Sequence, residues 1–256
     1  MKSKTKLTFK ILSGIIALTL ISFILLITNA TVGNPISKKK ANEAIKQYVN
    51  KNYSSMDLEI EDTKYEFKET SYIGIAKSKT SIDTNFAVYY KDGKVLRDDY
   101  ESHVLSMFNT SLRLEDEYSA IVKNIVSKEL GYDKNTTMMN GKSDKGDKSM
   151  LPLTIDMKFD KKLFLTPNVV IRLDSKENSM EAMAKILTDV HKAFVKNNCN
   201  FDIYSLNVQN SSREYVSVSK VTPTDIESGN LRSLLETAKA NRSGNGISVL
   251  IIENNK

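Results

Sequence analysis

A single cysteine, Cys199, occurs among 256 residues, which excludes an intrachain disulfide and leaves stability to packing of aliphatic and aromatic side chains. Histidine is almost as scarce, at His103 and His191. The sequence therefore contains no HExxH pair and no Cys/His cluster that would complete a zinc site. No GxSxG elbow and no Walker loop occurs. Acidic residues are absent before Glu43. Lys2, Lys4, Lys6 and Lys10 thus supply four units of the formal charge of +6, and the rest of the chain carries only +2. A nearly balanced body projects no long-range field toward polyanions, so nothing supports nucleic acid as a partner.

Charge is also missing from Ile11 to Ala30, ILSGIIALTLISFILLITNA. At the helical rise per residue this run covers about 30 Å, the thickness of a bilayer's hydrocarbon core. A globular core helix of that length would show a polar face, and this one shows none. A cleaved signal peptide is the rival reading. Its apolar region normally runs about 7 to 15 residues, shorter than Ile11 to Ile27, and Thr28-Asn29-Ala30 is an imperfect cleavage site. A retained anchor is therefore expected, with secretion after cleavage as the alternative. Lys6 and Lys10 stand against the run, whereas seven uncharged residues separate its other end from Lys38, Lys39 and Lys40. That asymmetry puts residues 1–10 in the cytoplasm and everything after the span outside.

Beyond a polar spacer, Ser37 is an expected N-cap for a helix whose apolar stripe is Ala41, Ala44, Ile45, Tyr48, Val49 and Tyr53. Leu58, Ile60, Tyr65 and Phe67 alternate with one slip, as a bulge produces. Ile73 and Ile75, then Phe86, Val88 and Tyr90, mark two more strands, and Lys91-Asp92-Gly93-Lys94 reads as a tight hairpin. Helical spacing returns from Tyr100 to Leu130 as two helices or one bent helix, with Gly131 as C-cap.

Residues 132–150, rich in Lys, Asp, Gly, Asn, Ser and Thr, read as a linker between domains at 36–131 and 151–256. After an alternating run at Leu153, Ile155, Met157 and Phe159, the second domain reads as strand, helix, strand, strand, helix, strand. The four strands fall near 168–174, 201–209, 215–221 and 247–253. The expected class is α+β: a transmembrane helix, a helix with an antiparallel sheet, and a ferredoxin-like α/β sandwich.

Signals for chemistry are sparse. His191 lies on the apolar side of its helix and reads as a satisfied boundary histidine. Its pairing with Cys199 lacks a third, orienting group. Asp133, Asn135 and Thr137 imitate the start of a calcium loop, but Met138 stands where the sharp turn needs glycine. Asp99 and His103 share a helix face at i and i+4, and two ligands do not make a metal site. With Asp98 they form the one candidate hydrolytic cluster. No cofactor and no metal is expected.

Two strings, LRDDYESHV from Leu96 to Val104 and NTSLRLEDEYSAIV from Asn109 to Val122, together with the anchor and the helix-and-strands unit, resemble the YfjL-like family. The resemblance implies a small membrane-tethered protein of a low-GC Gram-positive bacterium, in a family with no assigned activity. The first unit is also similar in pattern to PepSY and cystatin-like modules, which bind or restrain other envelope proteins. Within these strings Asp98, Tyr100, Asn109, Arg113, Glu117 and Tyr118 are the candidate binding residues. Arg113 and Glu117 are equally able to pair at i and i+4 to steady a helix, and the two tyrosines to rim a core. The reading that emerges is a non-enzymatic envelope protein that contacts the bilayer through residues 11–30 and binds another protein or a wall component.

Overall fold

The structure is a computed structural model that describes residues 2–140, 152–165, 167–210, 214–240 and 246–252. Two compact units divide between Asn109 and Thr110.

The first unit opens with α1 (Lys2–Val32), whose apolar side chains from Leu12 to Val32 are all unburied. It is long and apolar enough to cross a membrane. Helix α2 (Pro35–Asn52) follows after two residues. Its N-cap is Asn34 rather than Ser37: the Asn34 carboxamide oxygen accepts from the backbone N–H groups of Ile36 and Ser37 at 2.8 and 3.3 Å. Pro35 then occupies the first helical position, where its missing N–H costs nothing. The predicted stripe is the buried one, with Ala41, Ile45 and Val49 fully inside.

Strands β1 (Leu58–Ile60), β2 (Lys64–Glu66), β3 (Ser71–Ser78), β4 (Asn85–Lys91) and β5 (Lys94–Asp98) form an antiparallel sheet. Both β1 and β2 pair with β3, separated by residues 61–63, so the slip in alternation is a break in one strand line. Asp92 and Gly93 turn β4 into β5 with φ of 50° and 86°, the left-handed pair that a two-residue hairpin requires. The buried face carries Tyr72, Ala76, Phe86, Val88 and Tyr90. Ile73 and Ile75 point the other way and are half-buried.

The expected domain limits move. After a π-helical turn (Tyr100–Leu105), Met107 takes φ of 63° and α3 (Phe108–Leu130) begins. Leu114, Tyr118, Val122, Ile125 and Val126 of α3 join the hydrophobic core of the second unit. Part of the expected linker is also structured. Asn135, Thr137 and Met139 are buried, and β6 (Met138–Asn140) pairs antiparallel with β7 (Asn168–Asp174). Residues 141–150 lie outside the described residues.

The second unit continues with α4 (Met180–Lys196), β8 (Ile203–Gln209), β9 (Tyr215–Val221), α5 (Pro223–Glu227), α6 (Leu231–Ala240) and β10 (Ser248–Ile252). The mixed α+β class and the strand and helix order are those expected, but the pairing is sequential, β10-β9-β8-β7-β6. A ferredoxin-like split would insert a strand between β7 and β8. These two pair directly in parallel, Asn168 opposite Ile203. β9 pairs antiparallel with the other edge of β8, and β6 covers the free edge of β7. The run at 153–159 forms no strand among the described residues, because a turn with Asp156 at φ 60° breaks it.

Candidate functional site

Asp98 closes β5, and Asp99 follows it as the residue that opens the π-helical turn, with φ of −107° and ψ of 17°. Asp98 accepts hydrogen bonds from the Tyr48 and Tyr53 hydroxyls at 2.6 and 2.9 Å and from the Tyr100 backbone N–H at 3.0 Å. Above it the rings of Tyr53, Phe86 and Tyr100 form a cluster with centroids 4.9 to 5.2 Å apart. The hydrogen bond to the Asp98 carboxylate, with burial behind it, pushes the Tyr48 phenol up to about 12. Burial first, then the same carboxylate, pushes Tyr53 higher still.

Asp99 is 7% exposed. It accepts from the Tyr89 hydroxyl at 2.7 Å and from Arg97 at 2.6 Å, and the Arg97 guanidinium carbon sits 3.5 Å from the Tyr89 ring centroid. His103 Nδ1 approaches Asp99 at 3.6 Å, beyond hydrogen-bond reach, and its ring packs 5.0 Å from that of Phe108. The three residues of the candidate hydrolytic cluster are therefore split. Asp99 lies near His103, Asp98 faces a separate set of phenols, and each carboxylate is already engaged by strong donors.

The other candidate residues have definite structural work. The Asn109 side-chain amide donates to the Asp83 and Asn85 carbonyls at 3.0 and 2.7 Å, tying the start of α3 to the connection before β4. Arg113 pairs with Glu117 at 2.6 Å and donates to the Met157 carbonyl at 2.7 Å. Tyr118 is 1% exposed and stacks on Phe201 at 5.3 Å, and burial raises its phenol pKa. Within the first unit Asp98 and Tyr100 meet. Within the second, Arg113 and Glu117 pair and Tyr118 belongs to the core.

The YfjL-like N-terminal domain matches residues 8–99, and the YfjL-like C-terminal domain matches residues 117–236. The chain belongs to the YfjL-like family. No significant match is found among curated proteins or among solved structures. The YfjL-like N-terminal domain takes in most of α1 and ends on Asp99, so the apolar helix is part of the matched region. The C-terminal match begins inside α3, at Glu117.

The YfjL-like C-terminal unit contains a cleft of about 670 Å³ floored by Tyr118, Phe159 and Phe164 and rimmed by Lys162, Asn200 and Asp202. Lys161, also on its lining, donates to the Asn197 carbonyl at 2.8 Å. Aromatic faces under a mixed polar rim suit a ligand with one apolar face and several hydroxyl or amide groups. The sequence signal was the Phe-Asp-Lys-Lys-Leu-Phe run at 159–164, whose first residue had read as the end of a strand.

His191 is buried as expected, with both ring nitrogens engaged: Nδ1 with the Tyr204 hydroxyl at 2.8 Å and Nε2 with Glu227 at 3.0 Å. Helical spacing gave no sign of either partner. Among the described residues no group of three His, Cys, Asp or Glu side chains is arranged to hold a metal ion.

Proposed function

We propose that this YfjL-like protein is a single-pass envelope protein of a Gram-positive bacterium, with residues 1–10 cytoplasmic and both folded units outside. Its outer part binds another protein or a wall component and carries out no chemistry of its own. The observation that carries the reading is α1, which is long and apolar enough to cross a membrane and whose described apolar side chains from Leu12 to Val32 are exposed, as a lipid-facing helix would leave them. The saturated carboxylates of Asp98 and Asp99 support a binding role over a hydrolytic one. So does the helix-on-sheet form of the first unit, a pattern shared with PepSY and cystatin-like modules. The aromatic cleft is the surface assigned to the ligand.

Retention of the anchor draws support from the junction. Asn29 lies inside the last turn of α1, its carbonyl accepting the Gly33 N–H at 3.1 Å. A signal peptidase needs that stretch extended. The test removes the protein's single cysteine: in a Cys199→Ala background, Lys2→Cys and Lys134→Cys are probed with a membrane-impermeant maleimide on intact cells. Labelling at position 134 alone is expected. Labelling at position 2 alone overturns the orientation, and recovery of the chain from the medium overturns the anchor. For the ligand, a photocrosslinker at exposed Leu165 beside the cleft should capture one envelope component, and Phe164→Ala should abolish the capture.

A further inference from the structure

The junction between α1 and α2 is bolted to the sheet. The Tyr72 hydroxyl accepts from the Asn34 N–H at 2.8 Å and donates to the Asn34 carbonyl at 3.0 Å. Gly33 adopts φ of 81°, and a Cβ placed there would stand 2.7 Å from Tyr65 Cγ and 2.9 Å from the Tyr72 hydroxyl. The Tyr65 and Tyr72 rings pack at 5.0 Å. The first unit is thus held at a set position against the end of its own membrane helix.

A groove of about 400 Å³ opens at this joint, from Asn29 and Gly33 on one side to the β4–β5 hairpin on the other. Its depth in the membrane follows from the helix. If Ile11 to Ala30 fills the hydrocarbon, Gly33 lies about 4.5 Å beyond it by helical rise. The headgroup layer is about 5 to 7 Å thick on each side of a bilayer. Tyrosine rings at that depth are the side chains an interface favours, and Tyr65, Tyr72 and Tyr90 all line the groove.

Charge selects the occupant. Two ammonium groups, Lys40 and Lys91, and one carboxylate, Asp92, belong to the lining. Lys91 donates to the Glu69 carbonyl at 2.8 Å, a neutral acceptor, and makes no ion pair among the described residues. Lys38, the neighbour turned away from the groove, is paired with Asp62 at 2.7 Å, whereas exposed Lys40 has no acidic partner among the described residues. The first N–H groups of α2 are taken by the Asn34 side chain, so the helix end contributes nothing to the argument.

We propose that this groove seats the headgroup of an anionic phospholipid from the leaflet in which α1 ends, with Lys40 and Lys91 on its phosphate and the tyrosines against its glycerol. The proposal rests on the anchored reading. It makes the anchor more than a tether, since a bound lipid fixes how the first unit stands on the membrane.

The test reconstitutes the full chain in nanodiscs of mixed phosphatidylglycerol and phosphatidylcholine and counts the lipids retained on release into native mass spectrometry. Preferential retention of phosphatidylglycerol is expected. Lys40→Ala/Lys91→Ala should lower that preference about thirtyfold, the effect of removing two interfacial lysines. Asp92→Asn should raise it. Lys39→Ala/Lys51→Ala, which removes the same charge from exposed positions of α2 outside the lining, should leave it unchanged. Equal loss in both double variants would overturn the groove in favour of diffuse surface attraction. Full competition by free glycerol phosphate would overturn the lipid in favour of a soluble anion. No preference for phosphatidylglycerol in a wild-type chain that still sediments with membranes overturns the groove alone, whereas a wild-type chain found in the soluble fraction overturns the anchor and this proposal with it.

Discussion

Removing the Asp98 carboxylate should loosen the first unit selectively. The side chain accepts three hydrogen bonds, from Tyr48, Tyr53 and the Tyr100 backbone. Bonds to an ionised acceptor contribute about 1.5 to 3 kcal/mol each when buried. Asp98 is only half-buried, so about 3 kcal/mol in total is the expected loss for Asp98→Ala rather than the full sum. Asp98→Asn keeps an oxygen acceptor without the charge and should cost about half as much. At about 1.4 kcal/mol per tenfold, Asp98→Ala should speed amide exchange in α2 and β5 about a hundredfold. The measurement is hydrogen exchange read peptide by peptide on the full chain in micelles, so that the second unit serves as an internal control. Tyr53→Phe alone should cost about 1 kcal/mol, and in the Asp98→Ala background almost nothing, since its partner is already gone. Additive effects of the two substitutions, or unchanged exchange in α2, would refute the assignment of Asp98 as the acceptor that holds this face together.

Alkali should act on the same network. The Tyr48 pKa is raised from its ordinary value of 10 to about 12, so its contribution is complete below pH 10 and is lost as pH rises through 12; exchange in α2 should accelerate across that window, and earlier in Asp98→Asn. Gly33→Ala forces a Cβ against Tyr65 in a backbone conformation that costs an L-residue about 1 to 2 kcal/mol, and should expose the Asn34 amide to rapid exchange. His191→Ala leaves the fully buried Tyr204 hydroxyl without its 2.8 Å partner, a cost of about 1 to 3 kcal/mol by chemical denaturation. Adding Tyr204→Phe should recover part of that loss, and a failure to recover any would show that packing, not the hydrogen bond, is at stake. Cys199 is fully buried, so an aromatic disulfide reagent should react with it only at the rate at which the second unit opens.

Much of this architecture was legible from short-range pattern. The uncharged run at 11–30, the stripes of α2 and α4, the Asp92-Gly93 turn and the strands at 168–174 and 215–221 appear in the structure where periodicity placed them. Each depends on residues two to four positions apart, or on the φ preference of one residue, and such information survives in a linear string. The pairing of strands and the allegiance of α3 do not. An apolar stripe states that a helix must bury one face but not in which core, so α3 read as the closing element of the first unit while its side chains enter the second. The polar composition of 132–140 concealed β6 because an edge strand needs only backbone pairing with β7.

The same division governs the sites. Adjacency in the chain suggested that Asp98 and Asp99 act together with His103, but their phenol partners come from the end of α2 and from β4, which only folding brings near. Tyr204 and Glu227 reach His191 from 13 and 36 residues away. Tyr72 reaches the joint at Asn34 from 38. Sequence alone therefore determined which helix is long and apolar enough to cross a membrane and most of the elements the chain forms, because hydrophobicity and periodicity are local properties. Tertiary structure decided which carboxylates are occupied and that the junction after the apolar helix is clamped to the sheet, because hydrogen-bond partners are chosen by packing across long stretches of chain.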